Sequence, residues 1–118
     1  MSSVILPPTI TVREGVTDKI IMQLLADDVA IDLTPMHHIE VEMRDMKRNV
    51  HRYSSLDASP KVGIENASEG KVFLEPPASL FKAILSPYLL YFLVFTDVGK
   101  WFGVPEAVEA LIQVRRNW

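Results

Sequence analysis

The amino-acid sequence predicts an all-β protein folded as an antiparallel β-sandwich, with one apolar central strand and shorter amphipathic strands around it. The central strand is expected at residues 88–96, an uncharged run rich in aromatic and β-branched side chains. A run this short and this apolar favours a strand that is covered on both faces. Residues 97–100 then have turn chemistry, since Gly99 can adopt a positive φ. The last segment of the chain is therefore expected to return beside the central strand.

The remaining strands follow from period-two patterns. The clearest alternation runs over residues 38–45, where Ile39, Val41 and Met43 alternate with charged side chains. This pattern is typical of a strand with one solvent-exposed face. Turn residues such as Asp27 and Asp28 separate the shorter segments. These shorter strands are expected at residues 9–13, 19–25, 29–33, 47–53, 62–64 and 71–75. The total is about eight strands, which indicates a sandwich or a small barrel.

Two segments are less regular. After the pair of prolines at 76–77, the spacing of Leu80, Phe81 and Ile84 predicts a short helical turn near 78–85 that crosses between sheets. Residues 106–116 have helical spacing and suitable end charges, which favours a helix. The preceding turn instead requires an antiparallel partner for the central strand. We therefore predict a strand from about Ala110.

Composition limits the class of protein. The chain has 118 residues, which suits a single domain spanning residues 1–118, and its formal net charge of -3 is too small to indicate nucleic acid or membrane as a partner. It contains no cysteine, so neither a disulfide nor a thiolate metal site is expected, which fits synthesis in a reducing cytoplasm. The start lacks the pattern of a signal peptide, and the longest uncharged run is too short to cross a bilayer.

Histidines and carboxylates offer only weak candidates for metal binding. His37 and His38 are adjacent and would point to opposite faces of a strand. A metal site would need His38 and His51 opposed across a hairpin, with Glu40 as a third ligand, and solvated surface histidines are the commoner case. The aspartates at 27, 28 and 32 lack the glycine of a calcium loop and indicate turn formation. We therefore expect no metal site.

Catalytic patterns are also weak. Glu40 and Glu42 share one strand face and would resemble a paired acid and base, but the pattern supplies no cleft and Arg44 on the same face indicates charge balancing. The sequence contains neither a nucleophile elbow nor a glycine-rich phosphate loop. It therefore predicts no enzyme and no cofactor.

Aromatic residues near the end of the chain are the best candidates for an interface. Trp101 and Phe102 lie between two glycines in an expected hairpin, and alternation would place one ring inward and the other outward. An outward aromatic residue on a hairpin is a common interface anchor, although both rings could instead pack on their own sheet. Tyr53 and Trp118 are further interface candidates.

The order of short motifs resembles the N-terminal domain of phage upper baseplate proteins. The motifs are Thr-Ile-Thr-Val-Arg-Glu-Gly at 9–15, Lys-Ile-Ile-Met-Gln-Leu-Leu-Ala-Asp-Asp at 19–28, Ile-Asp-Leu-Thr at 31–34, Ile-Glu-Val-Glu-Met-Arg-Asp at 39–45, Gly-Lys-Val-Phe-Leu at 70–74 and Tyr-Phe-Leu-Val-Phe-Thr-Asp-Val-Gly-Lys at 91–100. The resemblance spans nearly the whole chain, and Asp32-Leu33-Thr34 is its best marker.

The resemblance implies an immunoglobulin-like antiparallel β-sandwich that acts as a structural part of a phage tail or baseplate, without catalysis or a cofactor. The sequence departs from the family at two places. Asp28-Val29 and Ser86-Pro87 stand where the family usually has a glycine, and the family's long C-terminal extension is absent.

The expected function is thus a virion component that forms a homo-oligomer or docks other phage tail proteins, made in the bacterial host cytoplasm and located in the virion. An alternative is a carbohydrate-binding module that recognises a host-surface glycan, with exposed Trp101 and Tyr53 stacking on sugar rings. A third alternative is a small hydrolase or metal-dependent enzyme, which the missing catalytic cluster disfavours.

Overall fold

The computed structural model describes residues 2–97, 99–106 and 108–116. Within these ranges the chain is nearly all β, as the sequence predicts, with one short 3-10 helix at Ala83–Leu85. The strands are β1 (Ser3–Leu6), β2 (Thr9–Arg13), β3 (Ile20–Ala26), β4 (Val29–Ala30), β5 (His38–Arg44), β6 (Val50–Ser54), β7 (Val62–Asn66), β8 (Lys71–Leu74), β9 (Tyr88–Phe95), β10 (Trp101–Val104) and β11 (Ala110–Arg115).

The strands form two sheets. The first has the order β1-β3-β8-β7, with β4 also paired to β3, and the second has the order β2-β11-β9-β5-β6, with β10 also paired to β9. All the pairs are antiparallel except that between β2 and β11. This order is that of an immunoglobulin-like sandwich, in which β3, β8 and β7 correspond to strands B, E and D, and β5, β9 and β11 to strands C, F and G.

The core lies between the two sheets and is made almost entirely of apolar side chains. On β9, the alternate residues Tyr88, Leu90, Phe92 and Val94 are buried. The prediction that this strand is covered on both faces is wrong, because its other residues point to the outer face of the second sheet. In a two-layer sandwich each sheet has one face toward the core, so an uninterrupted apolar run does not require double coverage.

Tyr88 fixes the segment that crosses from the first sheet to the second. Its buried hydroxyl donates a hydrogen bond to the Leu80 carbonyl (2.7 Å) and accepts one from the Lys82 amide (3.0 Å). Its ring packs edge-on against Phe81 at a centroid distance of 5.0 Å. This is the tyrosine corner of immunoglobulin-like domains. The helical turn predicted near 78–85 is confirmed in its last part, at Ala83–Leu85.

The C-terminal segment is a strand, as topology predicted and local propensity did not. β11 pairs antiparallel with β9, with Leu111 opposite Leu89, and pairs in parallel with β2 on its other edge. Pairing on both edges satisfies the backbone groups of β11, which explains why tertiary context overrides the helical spacing. The predicted antiparallel return beside β9 is therefore confirmed.

Several boundaries differ from the sequence prediction. The turn at Asp27 (φ 51°) and Asp28 (φ 67°) joins β3 to β4 as expected, but β4 ends at Ala30 instead of Leu33. β6 begins at Val50 instead of residue 47, because residues 45–49 form the hairpin turn. β1 was not predicted, since its four residues precede two prolines and give too short a pattern to recognise.

We predict that Tyr88→Phe lowers the free energy of unfolding by about 1–3 kcal/mol, because it leaves the Leu80 carbonyl without its buried donor. Tyr91→Phe is the matched control, since the Tyr91 side chain is 36% exposed and the same hydroxyl is removed there; its effect should stay within about 0.5 kcal/mol. Urea unfolding followed by circular dichroism measures both. Equal effects of the two substitutions would show that the corner does not stabilise the fold.

Candidate interaction surface

An apolar strip runs along the outer face of the second sheet. It consists of Leu89, Tyr91, Leu93 and Phe95 on β9 and Trp101 on β10, and we call it the outer strip. Trp101 lies opposite Phe95 in the register, and it is 55% exposed, while Leu89 is 39% exposed. Single exposed apolar residues are common on protein surfaces, but contiguous apolar patches mark interaction sites. The outer strip is therefore the candidate functional surface.

Trp101 and Phe102 point in opposite directions, as strand alternation predicts. Trp101 lies on the outer strip, whereas Phe102 is half-buried and packs against the core. Gly103 allows the outer strip to lie flat, because a Cβ at this position would collide with the Tyr91 hydroxyl and ring. The Tyr91 side chain therefore extends from β9 over Gly103 of β10.

The other two aromatic candidates do not join this surface. Tyr53 lies opposite Val41 on the inward-facing side of β6, is half-buried and packs against the core. Burial raises the pKa of Tyr53. The expectation that Tyr53 is exposed is therefore wrong, since the register of β5 and β6 places its side chain on the inward-facing side. Trp118 lies outside the described residues.

Polar side chains of β5 and β6 flank the outer strip. The His38 ring stacks on Phe95 with a centroid distance of 4.3 Å and an interplanar angle of 8°. Arg52 forms an ion pair with Glu42 (Nη2–Oε2, 3.1 Å), so the charge of Glu42 is balanced by β6 and not by its neighbour Arg44. These polar side chains give the outer strip a charged border.

The histidines do not form the hypothesised metal cluster. His51 lies opposite Met43 in the register, whereas His38 lies near Glu40, with 3.5 Å between Nε2 and Oε2. In residues 2–97, 99–106 and 108–116, no group of three potential metal-ligating side chains is present. The pairing of His38 with His51 fails because the register places His51 opposite the inward-facing Met43, whereas His38 lies on the outer face of β5.

A groove includes one end of the outer strip, where β10 and β11 separate. β10 ends with Val104 opposite Phe92, and β11 begins with Ala110 opposite Leu90, so the chain between them leaves the edge of β9. The resulting groove has a volume of about 380 Å³. Its floor is mainly apolar, and charged groups stand among the lining residues: Glu42, Arg44, Leu89, Leu90, Tyr91, Pro105, Glu106, Val108, Glu109 and Ala110.

The groove was not predicted from the sequence, although Pro105 offered a signal. Proline lacks an amide hydrogen and interrupts a strand ladder, so a break after Val104 was foreseeable. Its position beside the outer strip depends on both β10 and β11 pairing with the same edge of β9, which local pattern does not reveal.

The hairpin turn at residues 45–49 is held by one buried carboxylate. Asp45 is 4% exposed, and its Oδ1 accepts hydrogen bonds from the amides of Lys47 (2.9 Å) and Asn49 (3.0 Å). Its Oδ2 contacts the Asn49 side-chain amide (3.1 Å) and His51 Nε2 (2.9 Å). Burial opposes ionisation, but these hydrogen bonds outweigh it and lower the pKa of Asp45. The turn, which we call the β5–β6 tip, is therefore rigidly held.

We predict that Asp45 contributes to stability at neutral pH and that this contribution is lost in acid. Its pKa is lower in the folded than in the unfolded protein, so the stabilisation is complete above about pH 4, the ordinary aspartate value, and falls as pH drops through the folded pKa. Asp45→Asn should lower the free energy of unfolding at pH 7 by about 1–3 kcal/mol and reduce the further loss in acid.

Urea unfolding at a series of pH values from 7 to 2 measures this difference. Asp18→Asn is the control, because Asp18 accepts no hydrogen bond from any residue that the structure describes. An unchanged acid dependence in Asp45→Asn would contradict the predicted role of this carboxylate.

Comparison with known proteins gives a fold neighbour only. No protein-family model and no curated protein matches the chain. Among solved structures, the chain is similar to a structure of murine CRIg, with 10% sequence identity, coverage of 100% of both chains and a TM-score of 0.45. A likeness at this level carries no argument about function, and the class of protein, an immunoglobulin-like β-sandwich, rests on the strand order and on the tyrosine corner.

No helix in the described part of the chain is long and apolar enough to cross a membrane.

Proposed function

We propose that this protein is a non-enzymatic assembly module of a phage tail or baseplate, which associates with copies of itself or with other tail proteins. The observation that carries the proposal is the outer strip, an apolar surface centred on the middle strand of a sheet. Leu89, Tyr91 and Trp101 expose apolar surface there that the fold itself does not need to expose. Burial of such a patch against a partner would be favourable by roughly 25 cal/mol per Å² of apolar area.

The phage context comes from the order of sequence motifs. The motifs at residues 31–34 and 39–45 resemble those of upper baseplate proteins, and an immunoglobulin-like sandwich is the fold that this resemblance implies. In this proposal the protein works in the virion, after synthesis in the host cytoplasm. Because fold alone does not define function, the proposal depends on the outer strip and on its experimental test.

A protein partner fits the outer strip better than a glycan does. Leu89, Leu93 and Phe95 give the strip an aliphatic and aromatic character, and His38 already covers one face of the Phe95 ring. The glycan hypothesis places sugar rings on Trp101 and Tyr53, and Tyr53 faces the core. Glycan binding is therefore one of the outcomes that the Trp101→Ala test distinguishes.

We predict that Trp101→Ala leaves the domain folded and weakens its self-association, or its complex with a tail protein, by roughly 30-fold or more. Truncation of a central aromatic anchor commonly costs at least about 2 kcal/mol, and each 1.4 kcal/mol is tenfold. Analytical ultracentrifugation over a concentration series measures the effect, for the protein alone and with the products of neighbouring genes. Ile21→Ala, at a 47% exposed apolar position on the other sheet, is the matched control and should leave association unchanged.

Three outcomes would contradict the proposal. A wild-type protein that stays monomeric and binds no neighbouring tail protein has no assembly function. Binding to a glycan array that is lost in Trp101→Ala, without protein association, would support the carbohydrate-binding alternative. Association that is equally strong in wild type and Trp101→Ala would show that the outer strip is not the interface.

A further inference from the structure

We propose that His37 and His38 form a binding site for one divalent transition-metal ion, and that this site prefers Cu²⁺ to Zn²⁺. The site would be separate from the assembly function proposed above, and either can exist without the other. Two imidazole nitrogens define it, although strand alternation was expected to place them on opposite faces.

The two imidazole rings converge because only one of them belongs to a strand. β5 begins at His38, so the alternation of side chains along a strand does not apply to His37. The His37 amide donates a hydrogen bond to the Phe95 carbonyl (2.8 Å), which fixes the backbone at this point. Nδ1 of His37 consequently lies 2.7 Å from Nδ1 of His38. Without a metal, one N–H must link these nitrogens, because two facing lone pairs or two facing protons would repel each other.

The distance between the two nitrogens suits a metal ion whose ligands lie at right angles. With metal–nitrogen bonds of about 2.0–2.1 Å, two neighbouring imidazoles of a square-planar or tetragonal complex have nitrogens about 2.8–3.0 Å apart. Tetrahedral coordination, which Zn²⁺ prefers, would separate them by about 3.3–3.4 Å. Square-planar and tetragonal geometry is typical of Cu²⁺ and Ni²⁺, and Cu²⁺ binds a given set of ligands most tightly among the divalent first-row ions. Cu²⁺ is therefore the expected ion.

His38 is held in a suitable orientation, whereas His37 can adjust. The His38 ring stacks on Phe95, and the His38 side chain is only 12% exposed. Its Nε2 lies 3.5 Å from Oε2 of Glu40, so the carboxylate stabilises a proton on Nε2 and leaves Nδ1 free to bind a metal. Histidines that bind metals commonly have such a carboxylate beside their second nitrogen. The His37 side chain is exposed, so its ring can turn its Nδ1 lone pair toward the ion.

The bound ion would keep open coordination positions. Within residues 2–97, 99–106 and 108–116, no third potential metal-ligating side chain joins the two histidines. Water would therefore complete the coordination, as in metal sites that are not purely structural. Because His38 contacts Phe95, the ion would add positive charge at the border of the outer strip.

Titration of the wild-type protein, without a histidine tag, with Cu²⁺ and with Zn²⁺ tests this site. We expect calorimetry to show one equivalent of bound Cu²⁺, and electron paramagnetic resonance to show the nitrogen hyperfine splitting of imidazole ligands. Zn²⁺ should bind at least about tenfold more weakly. His37→Ala and His38→Ala should each weaken Cu²⁺ binding by at least about tenfold, because each removes one of two nitrogen ligands.

His51→Gln is the matched control, because His51 is the only other histidine in the sequence and its Nε2 already contacts Oδ2 of Asp45 (2.9 Å). Its Cu²⁺ affinity should stay within about threefold of the wild-type value, with circular dichroism to verify that every variant folds.

Three results would overturn the proposed site. They are a wild-type protein that does not bind Cu²⁺, unchanged Cu²⁺ binding in the double variant His37→Ala/His38→Ala, and a preference for Zn²⁺ over Cu²⁺. None of them would affect the assembly function, which is measured by ultracentrifugation without added metal. A protein that fails to assemble could likewise still bind Cu²⁺ through the two histidines.

Discussion

The pairing of β9 on both of its edges is the constraint on which the rest of the structure depends. β5 runs along one edge from His38 to Arg44, and β10 and β11 share the other. Because side chains alternate between the faces of a strand, the register that places Phe92 in the core also places Tyr91 outside. The core and the outer strip are therefore two faces of the same strand, and a change in register would destroy both.

The two sheets are connected without a disulfide. Antibody domains join their sheets by a cystine next to a buried tryptophan, whereas this chain has no cysteine and uses aliphatic, methionine, phenylalanine and tyrosine side chains between its sheets. Polar contacts at the segment that crosses between the sheets compensate for the missing disulfide at one end of the sandwich. The Ala83 amide donates to the Glu14 carboxylate (2.9 Å), and the Val114 amide donates to the Ser86 hydroxyl (2.8 Å). The β5–β6 tip is bonded to the same segment, so it belongs to a well-supported part of the fold.

The sequence was informative where a period-two pattern was long or where a turn required particular residues. The alternation at Ile39, Val41 and Met43 predicted β5 correctly, and the return beside β9 correctly predicted β11. The sequence wrongly predicted that β9 is buried on both faces. Its outward residues are as apolar as its inward ones, so the pattern does not show which face is exposed to solvent. The environment of Tyr53 was also mispredicted, since the face of a residue on β6 depends on a hairpin register that the turn at Asp45 sets.

The interface candidates show the same division between local and non-local information. Trp101 was identified from its position between glycines, and its exposure follows from alternation over two residues. The groove depends on two strands that share an edge of β9, and its acidic lining combines residues from β5 and the segment before β11. Contacts between residues so far apart in sequence cannot be read from a local pattern, because they exist only after the sheet has formed.

Apolar and charged groups would have different tasks in the proposed self-association. The hydrophobic effect is not directional, so contact between two outer strips supplies affinity without choosing one relative orientation. Charges on the borders can make that choice, because opposite charges favour one arrangement and like charges penalise the others. The outer strip has such a border on the side of β5 and β6, formed by His38, Glu42 and Arg52. The outer strip would therefore supply the affinity of self-association, and its charged border would favour one orientation of the two copies.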